Sequence, residues 1–70
     1  MTPKKGRVLN NIRQFRTARD LSQGELADLV GATRQTINAI EQEKYAPTLE
    51  LAFRIARAFD VAFEDVWTFR

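Results

Sequence analysis

Cysteine and histidine are both absent from this 70-residue sequence. Their absence removes disulfide frameworks, zinc-finger ligand sets, thiol nucleophiles and the usual imidazole base or metal ligand. Only three glycines and two prolines are present, and they do not cluster, so one undivided domain is expected. Long apolar runs are missing as well: Lys4, Lys5 and Arg7 are followed by Val8-Leu9 and then Asn10-Asn11, so neither a signal peptide nor a membrane span is expected. A cytoplasmic location without a membrane partner is the expectation. Seventy residues lie near the lower limit at which an apolar core alone offsets chain entropy, which leaves room for a partner surface.

Among what is present, charge is unevenly placed. The net charge is +2, but the first 20 residues hold six basic side chains against Asp20 alone. Residues 21–43 set Arg34 against Glu25, Asp28, Glu41 and Glu43. A basic N-terminal third is a candidate phosphate-facing surface, with solvated charge as the alternative.

The apolar spacing reads as helices. Leu9, Ile12 and Phe15 recur every three residues, predicting an amphipathic first helix that ends near Arg19. Ser22 caps a second, two-turn helix with Leu26, Ala27 and Val30 inward and Gly31 as its stop. Thr33 caps a third helix to about Glu43, with Ile37 and Ile40 inward and Arg34, Gln35, Asn38 and Gln42 outside. After the loop Lys44-Tyr45-Ala46-Pro47, Thr48 caps a fourth helix whose apolar band (Leu49, Ala52, Phe53, Ile55, Ala56, Phe59) predicts burial on two sides. Phe63, Val66 and Trp67 mark a short fifth helix before Phe69-Arg70. The expected fold is all-α, with five helices, no strand, a basic arm at residues 1–8 and a domain at residues 9–70.

Helices two and three carry a specific pattern. Ala27 is small enough for two helix axes to approach steeply, Gly31 supplies a positive φ four residues later, and Ile37 and Ile40 return the third helix to the core. With Leu21-Ser22-Gln23, Glu25-Leu26-Ala27, Arg34-Gln35-Thr36-Ile37, Ile40-Glu41, Lys44-Tyr45 and Pro47-Thr48-Leu49-Glu50-Leu51-Ala52, the sequence resembles the lambda-repressor-like (Cro/repressor, XRE) helix-turn-helix family. The resemblance spans about Asn11 to Trp67 and looks nearest to small stand-alone transcriptional regulators. It implies a five-helix domain that sets its third helix in the DNA major groove and the N-terminus of its second against the backbone. It also implies a largely buried ion pair between Arg16 and Glu41, and a backbone-binding role for Gln23.

The residues themselves agree with that expectation. Arg34 leads the recognition helix, where its fork suits guanine O6 and N7, and Gln35 suits adenine N6 and N7. Asn38 lies one turn on; Thr36 and Ala39 complete the expected base-contacting set. The expected phosphate contacts are Gln23, through its backbone N–H and its side chain, with Gln42, Lys44, Tyr45 and Arg13, backed by the Lys4-Lys5 arm. A single recognition helix reads few base pairs, so a homodimer on a palindromic operator is expected, joined through the aromatic C-terminal segment at Phe53, Trp67 and Phe69. Core packing is the alternative for Trp67.

Three positions depart from the family pattern: Asp20, Glu43 and Asp60 stand where glycine usually ends a helix. Glu tolerates the left-handed conformation poorly, so the third helix is expected to run on or end differently near Glu43. Gly24 replaces a usual acid. The leading expectation is a sequence-specific repressor, with a DNA-binding antitoxin or restriction controller bound to a protein partner as the alternative. Glu64 and Asp65 are weak hydrolytic candidates because adjacent helical residues diverge and no glycine-rich loop or metal cluster accompanies them. A non-specific or RNA-binding protein would stack bases on exposed aromatics, which here avoid the recognition face. No catalytic residue, metal, cofactor or small-molecule effector is inferred.

Overall fold

The computed structural model describes residues 6–70; the Lys4-Lys5 pair of the expected arm lies outside the described residues. Five helices and two short strands follow one another as β1 (Val8–Asn10), α1 (Ile12–Ala18), α2 (Gln23–Val30), α3 (Arg34–Glu41), α4 (Leu49–Phe59), α5 (Phe63–Val66) and β2 (Trp67–Phe69). None of these helices is long and apolar enough to cross a membrane.

Each principal helix starts where a side-chain oxygen is available to its orphan N–H groups. Ser22 and Glu25 form a reciprocal capping box on α2, Thr33 Oγ1 accepts from Thr36 N, and Thr48 Oγ1 accepts from Leu51 N. Such caps each contribute about 1 kcal/mol. The inward residues of α1 to α5 then meet in one core, where Ile12, Leu26, Ile37, Ile40, Ile55, Phe59 and Val66 are fully buried. Burial of side chains of this size contributes roughly 1.5–3 kcal/mol each.

The all-α expectation needs correction. β1 and β2 form an antiparallel pair in the register Val8 to Phe69, Leu9 to Thr68 and Asn10 to Trp67. Arg7 and Arg70 extend the ladder by exchanging backbone bonds of 2.7 and 3.0 Å. Leu9 therefore belongs to a strand, and α1 begins three residues later, where Asn10 Oδ1 accepts from Ile12 N. Asn10 Nδ2 also donates to Ile40 O, tying the strand to the C-terminal end of α3. The fifth helix likewise stops at Val66, leaving Trp67 in β2.

The expected disturbance around Glu43 is absent. Helix α3 closes at Glu41, Glu43 takes φ +62°, and Lys44 N reaches back to Ala39 O at 3.0 Å. Glutamate has adopted the turn that glycine makes without strain. Asp20 and Asp60 do the same, at φ +54° and +58°.

Candidate nucleic-acid interface

The α2–α3 unit is held at its elbow by two small residues. Ala27 is fully buried between the helices, and Gly31 turns the chain at φ +74°. Ala32 N then bonds Ala27 O, which closes the turn before Thr33 starts α3. A side chain at position 31 would be strained by its φ and would meet Arg54 Nη1 at 3.4 Å.

This elbow presents one face of α3 outward. Arg34 and Gln35 are exposed, while Thr36, Asn38 and Ala39 are half-buried beside them. Thr33, Gln35, Thr36, Ala39 and Tyr45 line a common shallow hollow, so four side chains of the first α3 turns and one from the following loop share a surface. The Arg34 stem runs past the start of α2: a Cβ built on Gly24 would sit 3.9 Å from Arg34 Cδ. Among the described residues no acid pairs with Arg34.

Behind this face lies a polar chain. Arg16 donates from Nε to Glu41 Oε2 at 2.8 Å and from Nη2 to Glu41 Oε1 at 3.2 Å; its Nη1 also donates to Leu21 O. The two side chains are 13% and 7% exposed, so the pair that the family resemblance implied stands largely out of water. Gln23 Nε2 donates to Glu41 Oε1 and to Asn38 Oδ1, and Gln42 Nε2 donates to the same Asn38 oxygen. Both donors of the Gln23 amide are thus used inside the protein. A phosphate contact through this side chain would have to draw on a donor already engaged here, whereas one through the N–H groups at the start of α2 would need no such exchange.

Gln42, Lys44 and Tyr45 are exposed just past α3. Strand pairing adds Arg7, whose Nε lies 3.9 Å from Glu43 Oε1 and which lines a hollow with Lys44 and Tyr45. Its position depends on a partner strand more than 50 residues away in sequence, so no local pattern announces it. Arg13 is exposed on α1. Arg19 is taken up structurally: it donates to Phe59 O at 2.7 Å and lies over the Phe15 and Phe59 rings.

The expected C-terminal contact residues separate. Phe53 and Phe69 are 48% and 69% exposed, and Leu49 joins them at 67%. Trp67 is only 6% exposed, and its Nε1 donates to Ala52 O at 3.0 Å. The indole belongs to the core because its single polar atom finds a partner there. Asp65 also has a structural task, its carboxylate accepting from Ala62 N at the start of α5.

Two short helices joined by a glycine turn, with a capped leading helix, a polar outer face on the second helix and basic residues around it, define a helix-turn-helix DNA-binding domain. The helix-turn-helix family profile matches residues 12–66, and the chain belongs to that family, the XRE-type regulators. It is 45% identical over 60 residues to an uncharacterized HTH-type transcriptional regulator of Methanocaldococcus jannaschii, covering 86% of this chain and 91% of that one. The restriction-modification controller protein of Aeromonas hydrophila superposes with a TM-score of 0.73 at 31% identity, over 77% of this chain and 82% of the other. The transcriptional regulator VanUg shares the fold, with a TM-score of 0.80 at 21% identity over 100% and 93% of the two chains. The chain is accordingly a transcriptional regulator with a double-stranded DNA-binding domain, in a family of non-enzymatic proteins.

Proposed function

We propose that this protein is a sequence-specific repressor that binds a palindromic operator as a homodimer and occludes a promoter. Helix α3 enters the major groove with Arg34, Gln35, Thr36, Asn38 and Ala39 toward the base edges. Gln23, Gln42, Lys44, Tyr45 and Arg13 fix its register on phosphate. The observation that carries this reading is the outer face of α3, where Arg34 and Gln35 are exposed while every large apolar residue of the helix is buried. Two protomers meet through the apolar face of Leu49, Phe53 and Phe69, so that two-fold symmetry presents one α3 to each half-site. The cytoplasm is the compartment proposed.

A second reading, a restriction controller acting with its own partner, is favoured by the Aeromonas hydrophila structural neighbour. Selection from random duplexes, with Arg34→Ala and Gln35→Ala in parallel, tests the main reading. The expected result is an enriched palindrome whose base preference relaxes at separate positions in the two variants; no enrichment sinks sequence specificity. Separating the protein alone and with the product of a neighbouring gene distinguishes a self-contained dimer from a partnered controller.

A further inference from the structure

The geometry points to Asn38 as a donor-only reader of the DNA, its amide polarity set by the buried Arg16–Glu41 pair through Gln23. This rests on the proposed placement of α3 in the major groove and adds to it the hydrogen-bonding class of the base that Asn38 accepts.

Arg16 and Glu41 are the fixed charges in this chain of contacts. A carboxylate accepts and cannot donate, so the Gln23 group facing Glu41 Oε1 at 3.2 Å must be its NH2. The second hydrogen of that nitrogen points to Asn38 at 3.3 Å, and a donor there requires Asn38 to turn its oxygen inward. Gln42 Nε2 donates to the same oxygen at 3.0 Å, from one turn along α3. An amide oxygen has two lone pairs, and both are taken.

What remains of Asn38 is Nδ2 with two hydrogens, and among the described residues no hydrogen bond uses it. Asparagine normally reads adenine with both ends of its amide, accepting from N6 and donating to N7. Here the accepting end is occupied by the protein. Two donors side by side match guanine, which offers O6 and N7, and thymine O4 takes one hydrogen; adenine N7 also takes one, but its N6 donor then faces the second, and cytosine N4 meets only a donor, so adenine and cytosine are disfavoured. Asn38 is thus a specificity-determining residue that favours guanine or thymine over adenine, and Gln23, Gln42 and Glu41 are positioning residues that never touch the base.

Reversing this polarity requires all three amides to turn together, and it would leave Gln23 oxygen against Glu41 oxygen. The orientation is therefore held more firmly than that of an exposed asparagine, whose two flipped forms differ little in energy.

Two measurements test the inference. Random-duplex selection is run on the wild type, on Asn38→Ala, and on the double variant Gln23→Met with Gln42→Ala, which leaves the Arg16–Glu41 pair intact and frees the Asn38 amide to turn. The position whose preference is lost in Asn38→Ala should carry guanine or thymine in the wild type, and the double variant should admit adenine there roughly ten-fold more readily. A preference for adenine over guanine and thymine at that position in the wild type overturns the donor-only assignment, as does an unchanged preference in the double variant or in Asn38→Ala. An enriched site with any of those results sinks this inference alone, whereas no enriched site in the wild type sinks the parent reading with it. The second measurement needs no DNA: side-chain amide hydrogens of free wild-type protein, followed by NMR, should exchange slowly with solvent for Gln23 and rapidly for Asn38. The reverse order would place the Asn38 nitrogen inside and overturn the inference even if a variant failed to fold.

Discussion

Arg16 and Glu41, one on the first helix and one at the end of the recognition helix, meet in a two-pronged ion pair of 2.8 and 3.2 Å. The pair clamps α3 to the scaffold from behind its exposed face. Arg16→Ala strands the carboxylate in a site where it is 7% exposed, at a cost of roughly 3–5 kcal/mol. A domain of this size loses about 4–8 °C of Tm per kcal/mol, so a thermal melt should fall by more than ten degrees or show no folded state. An unchanged melt would mean that the pair carries no structural weight. The paired replacement Arg16→Met with Glu41→Leu should recover most of the loss, because it buries no orphaned charge.

Much of this was legible because it is local. Ser22, Thr33 and Thr48 announce their helices by capping chemistry, and Ala27, Gly31, Ile37 and Ile40 fix the elbow by size, φ and spacing; all take the places those patterns predict. What was not legible depends on distant partners or on three-way contacts. Leu9 looks helical until Thr68 is known to pair with it. Trp67 belongs to the core because Ala52 offers a carbonyl, which no neighbouring residue predicts. Glu43 hides its turn for a different reason: glycine is the unstrained choice at a left-handed position, but the core beneath α3 and the returning Lys44 N–H hold glutamate there regardless.

The apolar face offers a test of assembly. Leu49 is 67% exposed beside Phe69, and Phe53 packs at a tilt against Phe63 with ring centroids 4.7 Å apart. Leu49→Asp should convert a dimer to a monomer in sedimentation equilibrium while leaving the monomer's fold intact by circular dichroism, since little of the leucine is buried within one chain. A dimer that persists in this variant would put the two-fold contact elsewhere on the surface.

Gly24 lies beside the Arg34 stem, in the first turn of α2, and its surroundings leave room for a side chain: the nearest atoms to an added Cβ are Ser22 Oγ at 3.8 Å and Arg34 Cδ at 3.9 Å. Gly24→Ala should therefore stabilise the helix by up to about 1 kcal/mol and leave DNA affinity unchanged. Gly24→Glu should behave differently, holding the guanidinium of Arg34 within the protein and adding a negative charge near phosphate. Its affinity should fall about ten-fold at low salt, with little change in melting, because an exposed ion pair is worth only about 0–1 kcal/mol. Equal losses in the two variants would show that the position is sensitive to bulk and that Arg34 is not being captured.

Glu43 holds φ +62° at the end of α3. A side chain in that region costs roughly 1–2 kcal/mol, and glycine returns part of the gain through its freer unfolded state. An acid also opposes the dipole at a helix C-terminus, and the 3.9 Å contact to an Arg7 that is 72% exposed offsets little of this. Glu43→Gly is expected to stabilise the protein by about 1 kcal/mol, raising Tm by roughly 4–8 °C. Glu43→Ala separates the two causes: it removes the charge and keeps the strained backbone, so its melt should rise far less. Equal rises for alanine and glycine would assign the effect to charge alone. Asp60→Gly, at φ +58°, should gain less than Glu43→Gly, because aspartate's short side chain bonds locally and tolerates the left-handed region better.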